Sequence, residues 1–523
     1  MNLRRLLILP IILVMTCAAS SSAAGQQDAL ASITAEELRT HLTFIASDEM
    51  MGRDTPSPQL KLAARYLATM VESYGWKPIM PDGSFLQTIP LETTSPSTSG
   101  SRLTVGGKTF RFPADFGGRL SEGTASGEMV FIGMGMEQPD SGWDDYAGLD
   151  LTGKVVVVLS APAEVPEDFP MTQRRLRSNT MLSLQKGASA VIAIVNDADE
   201  RRMAESGESF AVSSTTRWPG SEGGGGGGAR QGSSGVQIQV RHHVAASILG
   251  VSESEISTMF ASLRRGERIA GRTLSGPPAE ITVAMDRIEN HTQNVVAYLE
   301  GTDPVLKNEY VLFGCHYDHT GMRGGEVNNG ADDDGSGTVA MLEVAQAMMI
   351  QRPKRSVILV WHTGEEKGLR GAGYFVDNSP VPLENISAQL QMDMISRNDP
   401  ESLYIIGSHF LSSEMDAIDR QVADRLGIIK VDDQFNDPDM QGNYFRQSDH
   451  HAYHQVGIPV TFFFTGVHDD LHSPTDDVEN CDFDKMERAA KYIYAVGLEV
   501  GNYPHLLKLD RNPEVTQRGK VGG

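Results

Sequence analysis

Short apolar runs in the C-terminal half of the chain alternate with segments that repeat apolar residues at helical spacing. The runs are rich in β-branched and aromatic residues, which is typical of buried strands, and they cover residues 309–315, 356–361, 388–395 and 458–464. The helical spacing is found in residues 337–350, 369–376 and 485–500. Strands that alternate with helices predict an α/β fold in which helices cover a mostly parallel sheet.

Histidines and carboxylates follow the ends of these predicted strands. Ligands of open α/β sheets gather beyond the carboxyl ends of the strands, and His316, Glu366 and Asp393 lie there. With Asp333 and His472 they form a set of two imidazoles and three carboxylates. Nitrogen and oxygen donors of this kind suit Zn²⁺, and two ions that share one carboxylate need about three protein ligands each. We therefore predict a site for two zinc ions.

The motifs around these residues resemble those of the co-catalytic dizinc aminopeptidases of peptidase clan MH. Relatives in that clan include bacterial leucyl aminopeptidases, aminopeptidase Y, the glutamate carboxypeptidases and the transferrin receptor. The motifs follow the family's order over about residues 280–500 and read His316-Tyr317-Asp318, Gly330-Ala331-Asp332-Asp333-Asp334-Gly335-Ser336-Gly337, Gly364-Glu365-Glu366, Met392-Asp393-Met394 and His472-Ser473-Pro474-Thr475-Asp476. The resemblance implies a zinc-exopeptidase fold of the phosphorylase/hydrolase-like type.

The resemblance also implies a role for each residue. Asp333 would bridge the two ions, and the other ligands would divide into His316 with Asp393 and Glu366 with His472. Glu365 would be the general base that takes a proton from water and gives it to the leaving amine. Asp318 would orient His316 through a carboxylate that accepts a ring N–H. A cis peptide bond is expected after Asp333.

Further histidines and aromatic residues are candidates for other roles. His319 could line the cleft or face solvent, and both readings stay open. His450 is predicted to contact substrate, because Ser448-Asp449-His450 resembles a segment that borders the family's cleft. Tyr444 is a second candidate for substrate contact, as part of an apolar pocket. The array of His450, His451 and His454 lacks the glutamate of a zincin helix, so we do not expect a further metal site there. His362 is predicted to be structural.

The length of 523 residues predicts more than one domain. We expect the peptidase domain to be discontinuous, with segments 25–121 and 277–505. Residues 122–276 resemble an inserted, β-rich protease-associated (PA) domain, which would shape access to the cleft without supplying chemistry. The glycine run at 223–228 is predicted to be a flexible loop, and residues 506–523 a flexible tail.

The N-terminus has the pattern of a secretory signal peptide over residues 1–24. Arg4 and Arg5 precede an apolar stretch, and small residues end at Ala24, the expected cleavage point. The prediction is an extracytoplasmic protein, periplasmic or secreted. Cys17 offers the alternative of a lipid anchor. No later stretch has 18 or more apolar residues, so stable membrane insertion is not expected.

Charge and cysteine content narrow the possible partners. The formal net charge of −23 argues against nucleic acid and anionic membranes, and it favours cationic substrates such as peptides with a free α-amine. Removal of the leader would leave two cysteines, Cys315 and Cys481, which could pair or could be ordinary core residues.

Three classes of function fit this sequence. The first is a dizinc aminopeptidase that hydrolyses N-terminal residues from peptides. The second is another reaction on the same site, namely a glutamate-carboxypeptidase-like or dipeptidase activity, or glutaminyl cyclisation at a single zinc. The third is a non-catalytic, receptor-like protein, although such a protein has no need for the ligand set together with Glu365. The preferred N-terminal residue and the oligomeric state stay open.

Overall fold

The structure, a computed structural model, describes residues 24–138, 141–166, 169, 180–219, 235–436 and 443–519. The chain forms two compact units. We call Leu91–Asn290 the inserted unit, and the two flanking segments, which end at Pro90 and begin at His291, the main unit. The predicted signal peptide apart from Ala24, the lipidation candidate Cys17 and the glycine run at 223–228 lie outside the described residues.

A mixed sheet organises the main unit, and its central strands are parallel. In spatial order the strands are Leu86–Pro96, Met285–Leu299, Ser356–His362, Tyr310–His316, Ile386–Met392, Val460–Phe464, Ser402–Ile406 and Lys430–Asp432. The four strands from Ser356–His362 to Val460–Phe464 pair in parallel, whereas Met285–Leu299 and Ser402–Ile406 join them antiparallel. The predicted α/β fold with a mostly parallel central sheet is therefore confirmed.

Helices pack on the sheet of the main unit. They are Ala35–Ile45, Pro58–Tyr74, Gly337–Ile350, Arg370–Asp377, Ser408–Leu411, Ser413–Leu426, His450–Gln455 and Phe483–Asn502. Gly337–Ile350 is buried along most of its length, which explains why its sequence is apolar on nearly every side. Asp482 caps Phe483–Asn502 by accepting a hydrogen bond from the backbone N–H of Lys485. The core between these helices and the sheet includes Phe313 and Trp361, both fully buried.

The segment after residue 505, predicted to be flexible, is held by specific contacts as far as residue 519. Leu507 is fully buried, and its backbone N–H donates to Ser387 Oγ. Asp510 accepts hydrogen bonds from the backbone N–H and the hydroxyl of Ser413, at the start of the helix Ser413–Leu426. One apolar residue and one carboxylate of the predicted tail therefore contact the main unit in the described structure.

Within the described residues, the inserted unit contains two larger sheets and one short two-stranded sheet, Glu137–Gln138 with Trp143–Asp144. The first has the spatial order Arg272–Thr273, Met129–Phe131, Val155–Leu159, Ala190–Ile194, Val236–Val240 and Phe116–Gly117, with four parallel strands in its centre. The second is antiparallel, with the order Lys108–Arg111, Arg102–Val105, Ala279–Val283 and Gly123–Gly127. Its helices are Thr180–Gln185, Asp197–Ser206, His242–Leu249 and Glu253–Arg264. The unit extends beyond the predicted limits of 122 and 276, because the second sheet pairs Arg102–Val105 with Ala279–Val283.

Two further findings concern cysteines and membranes. Cys315 and Cys481 are both buried and both free, so the possibility of a disulfide between them is not realised. Among the helices of the described residues, none combines the length and the apolar character that crossing a bilayer requires.

Candidate metal centre

The predicted ligands come together at the carboxyl ends of the parallel strands of the main unit. His316 is the last residue of Tyr310–His316, and Asp393 directly follows Ile386–Met392. Glu366 lies in the loop after Ser356–His362, and Asp333 lies in the segment Ala331–Ser336 that leads into the buried helix Gly337–Ile350. His472 comes from the loop that follows Val460–Phe464. Parallel strands end at one edge of the sheet, so residues far apart in sequence meet there.

One half of the centre surrounds His316. Its Nε2 atom lies 3.2 Å from Oδ1 of Asp333 and 3.5 Å from Oδ1 of Asp393. Within the part of the chain that the structure describes, Asp393 Oδ1 has no hydrogen-bond partner. The imidazole nitrogen and the two carboxylate oxygens therefore point at a common position, as ligands of one cation would.

The other half of the centre surrounds His472. Its Nε2 atom lies 3.0 Å from Oδ2 of Asp333 and 3.1 Å from Oε1 of Glu366. These two carboxylates raise the pKa of His472 to about 10, so the ring carries a proton that a metal ion would replace. Asp333 thus directs one carboxylate oxygen to each half of the centre. The peptide bond that follows Asp333 is cis, as the resemblance implied.

His319 also belongs to this second half, although the sequence left its role open. The side chain is fully buried. Its Nδ1 atom lies 3.1 Å from Oε1 of Glu366 and 3.5 Å from Oδ2 of Asp333. The only signal in the sequence was its position in the run His316-Tyr317-Asp318-His319, and a histidine after a strand end is more often a satisfied polar residue than a ligand.

Glu365 stands beside the first half without contacting it as a ligand would. Its Oε2 atom is 4.0 Å from Nε2 of His316, and its backbone N–H donates to Oδ1 of Asp318. Burial raises the pKa of Glu365 well above the ordinary value, and the nearby carboxylates of Asp449 and Asp393 act in the same direction. A carboxylate in such surroundings accepts protons more readily than one in water.

The structure corrects the predicted action of Asp318. The atom next to Nδ1 of His316 is the backbone carbonyl oxygen of Asp318, at 3.0 Å, whereas the carboxylate lies 3.9 Å away. The carboxylate instead accepts hydrogen bonds from the hydroxyl of Thr55 and from the backbone of Glu365. Burial raises the pKa of Asp318 to about 6. The carbonyl fixes the tautomer of His316, and the carboxylate holds the loop that carries Glu365.

Backbone hydrogen bonds to Asp334 and Asp476 fix the loops around Asp333. Asp334 accepts from the backbone N–H groups of His316, Gly337 and Met394. One of its oxygens is close enough to a ring nitrogen of His316 and a carboxylate oxygen of Asp393 to share a cation, but both oxygens already accept these backbone hydrogen bonds. Asp476 accepts from the backbone N–H groups of Asp332 and Asp333. Asp476 falls in a motif that the sequence did identify, whereas the role of Asp334 was hidden in a run of three aspartates.

Arg53 is a buried residue that sequence reasoning missed. Its guanidinium donates hydrogen bonds to the backbone carbonyls of Tyr317, Ile45, Asn329 and Gly330. Burial lowers its pKa to about 10, against the opposing charge of nearby aspartates. The residue joins the strand end that carries His316 to the loop that carries Asp333, and one arginine in a polar stretch gives no sequence signal for such a role.

The two predicted substrate contacts lie among aromatic side chains. The His450 ring is fully buried, stacks on Phe462 at 4.6 Å and has a pKa lowered to about 3 by burial. A ring without exposed surface is out of reach of a substrate, so the structure does not support this prediction. Tyr444 packs on Phe435 and Phe464.

His362 forms hydrogen bonds with the carbonyl of Cys315 and with the Tyr453 hydroxyl, which agrees with a structural role.

The donor set fits two zinc ions. A tetrahedral Zn²⁺ with ligands at about 2.0–2.2 Å separates its donor atoms by roughly 3.3–3.5 Å. The donor separations quoted above lie between 3.0 and 3.5 Å in both halves. Of the described side chains, Asp393 and Glu366 each leave a buried carboxylate oxygen without a hydrogen bond, which a cation would satisfy.

The predicted ligands lie in a segment that is similar to known peptidases. Residues 294–497 match the model of peptidase family M28, and this segment contains all five predicted ligands and Glu365. Leucine aminopeptidase 2 of Arthroderma otae is 26% identical over 237 residues, which cover 43% of this chain and 44% of that protein. A probable leucine aminopeptidase 2 of Aspergillus oryzae is 29% identical over 247 residues, or 44% of this chain and 46% of that protein. The chain therefore spans less than half the length of these relatives.

A solved structure covers more of the chain. An aminopeptidase from Aneurinibacillus sp. strain AM-1 aligns over 93% of this chain and 98% of its own, with 18% identity and a TM-score of 0.49. The motifs that resemble the family meet at one edge of the sheet, and all of the predicted ligands lie inside the matched segment. The match to peptidase family M28 covers residues 294–497 of the chain.

Proposed function

We propose that the chain is a secreted, zinc-dependent aminopeptidase that removes N-terminal residues from peptides. The observation that carries the proposal is the divided carboxylate of Asp333, whose Oδ1 faces His316 and whose Oδ2 faces His472. A carboxylate divided in this way would be suited to hold two zinc ions at once. The leucine aminopeptidase relatives support the same class of reaction.

In this proposal the protein side chains hold two zinc ions and one attacking water. His316 and Asp393 would hold one ion, Glu366 and His472 the other, and Asp333 both. The bound ions would polarise the scissile carbonyl and make the water easier to deprotonate. Glu365 would accept the proton of the water and give it to the leaving amine, because its carboxylate is beside the ligands but outside their contacts.

The charge of the centre favours substrates with a free α-amine over substrates with a free carboxylate. Three ligand carboxylates, Glu365 and Asp318 carry five formal negative charges against four positive charges of two zinc ions. A carboxypeptidase would need a basic cluster to hold the terminal carboxylate. Two of the basic residues near the motifs are already in ion pairs, Lys367 with Asp54 and Arg397 with Asp470.

The direction of cleavage tests the proposal. Purified enzyme would be given a leucine-initiated peptide in four forms, with the N-terminus free or acetylated and the C-terminus free or amidated. N-acetylation should abolish cleavage, because it removes the cationic amine, whereas C-terminal amidation should leave cleavage largely intact. The reverse pattern would indicate the carboxypeptidase alternative, cleavage of free dipeptides alone would indicate a dipeptidase, and cyclisation of N-terminal glutamine would indicate a glutaminyl cyclase.

Secretion is a separate part of the proposal. Mass spectrometry of the protein from an expressing culture should find a mature N-terminus at Gly25, because the small residues before it form a cleavage site. A lipid-modified Cys17 at the N-terminus would instead support the anchored alternative.

A further inference from the structure

His319 has the environment of a metal ligand. The side chain is fully buried, and neither ring nitrogen has a hydrogen-bond partner among the residues that the structure describes. A buried polar group without a partner costs about 1–3 kcal/mol, so such groups call for a physical reason. The ring also packs directly on the backbone of Gly330, where a Cβ atom would lie 2.4 Å from the ring carbon Cγ. A side chain at position 330 would therefore collide with the ring.

The orientation of the ring excludes an ordinary hydrogen bond to Glu366. Nδ1 of His319 is 3.1 Å from Oε1 of Glu366, a distance at which a hydrogen bond would form if the N–H pointed at the oxygen. Both atoms nevertheless remain without a hydrogen bond in the described part of the chain. The nitrogen and the oxygen are thus close together but do not point at one another. Two ligand atoms of one metal ion have this arrangement, because both point at the ion.

That third position is the second half of the metal centre. The four contacts that join His319 Nδ1 and His472 Nε2 to Asp333 Oδ2 and Glu366 Oε1 measure 3.5, 3.1, 3.0 and 3.1 Å. These lengths are close to the edges of a tetrahedron of donors around Zn²⁺, which are roughly 3.3–3.5 Å. The two imidazoles meet edge to face, with ring centroids 5.6 Å apart.

We propose that His319 is a fourth protein ligand of this second ion, bound through Nδ1. The inference rests on the proposed two-zinc site and deepens it. The second ion would then be enclosed by four protein ligands, like a structural zinc, whereas the first would have three, namely His316, Asp333 and Asp393, and would keep an open position facing Glu365. The two ions should differ in affinity, and the ion held by His319 should bind first and exchange more slowly.

The experiment measures metal binding rather than activity. Metal-free wild-type protein, His319→Ala and His319→Cys would be titrated with Zn²⁺ and with Co²⁺, and His505→Ala, an exposed histidine, would serve as the control. Wild type and control should bind two equivalents, one more tightly. His319→Ala should lose more than about 10–100-fold in affinity at the tighter site, because that range is the usual cost of losing an outer-shell partner alone. Equal melting curves in the presence of a chelator would show that the variants fold.

His319→Cys gives the sharper result because a thiolate is itself a zinc ligand. This variant should recover affinity that His319→Ala loses, and its Co²⁺ form should gain a thiolate-to-cobalt charge-transfer band absent from wild type. Unchanged affinities in His319→Ala together with no such band in His319→Cys would overturn the inference. A wild-type chain that binds one equivalent would contradict the two-zinc proposal, and the effect of His319→Ala on that equivalent would still decide the role of His319.

Discussion

Ser448 donates a hydrogen bond of 2.7 Å to Oδ2 of Asp393. The other carboxylate oxygen of Asp393 faces Nε2 of His316 at 3.5 Å. The hydroxyl of Ser448 also accepts a hydrogen bond from the side chain of Gln391. The serine therefore fixes which oxygen of Asp393 is turned toward the proposed metal, from a position 55 residues further along the chain.

The first prediction concerns Ser448→Ala. Loss of the hydroxyl should free Asp393 to rotate and should weaken metal binding at the His316 side by about 10–100-fold. The fold should be little affected, since one hydrogen bond contributes about 1 kcal/mol. Zinc titration of the metal-free protein measures both affinities, and Ser73→Ala, in an exposed helix position, is the control. Equal affinities in Ser448→Ala and wild type would contradict the positioning role.

The second prediction concerns the base. Glu365→Gln keeps the size of the side chain but cannot accept the proton, so kcat should fall by roughly 10²–10⁴-fold. Both zinc ions should remain bound, because Glu365 lies outside the ligand contacts. Steady-state kinetics measures kcat and metal analysis of the same sample measures the zinc content, with Glu49→Gln, at an exposed position, as the control. Zinc lost in parallel with activity would make Glu365 a ligand.

The third prediction separates a bridging ligand from a base. Asp333→Ala removes both oxygens that the two halves of the centre share, so the variant should bind less zinc as well as lose activity. Metal analysis after dialysis measures the loss. Full zinc content with full activity in this variant would reject the dizinc site.

The fourth prediction concerns Arg53. Arg53→Met would leave four buried carbonyl groups without their donor, and it should lower the free energy of unfolding by at least about 3 kcal/mol. Arg53→Lys keeps the charge but cannot contact all four carbonyls. Its free energy of unfolding should therefore lie between those of Arg53→Met and wild type. Urea unfolding of the metal-free proteins gives the comparison. A fully stable Arg53→Met protein would show that the loops hold without this link.

The fifth prediction is a pH dependence of stability. Asp419 is fully buried, its only hydrogen bond from a side chain in the described structure comes from Thr461, and burial raises its pKa to about 8. Between about pH 4 and about pH 8, the carboxyl group of Asp419 is ionised in the unfolded protein but stays protonated in the folded protein. The folded state therefore binds more protons, and stability should fall as pH rises.

Asp419→Asn should remove the part of the pH dependence of stability that comes from the carboxyl group of Asp419. The variant should be more stable than wild type by a few kcal/mol near about pH 8, and the difference should shrink toward about pH 4. Asp424→Asn, in an exposed position of the same helix, should change little. A constant difference between Asp419→Asn and wild type over this range would contradict the raised pKa.

The sequence alone determined the class of the sheet, its alternation with helices and the donor atoms of the centre. These depend on local patterns, because apolar periodicity is set by burial on one element and the motifs follow strand ends directly. His316, Glu366 and Asp393 could be found in this way without any knowledge of distant contacts.

Only the tertiary structure decided how those residues are held. Arg53 contacts the carbonyl of Tyr317 across 264 residues, and Asp476 contacts Asp333 across 143. Local periodicity carries no information about such pairs. The same holds for the choice between His319 and His450. Both are buried histidines near a motif, but the fold brings only the first to the carboxylates of the centre, whereas the second stacks among aromatic rings.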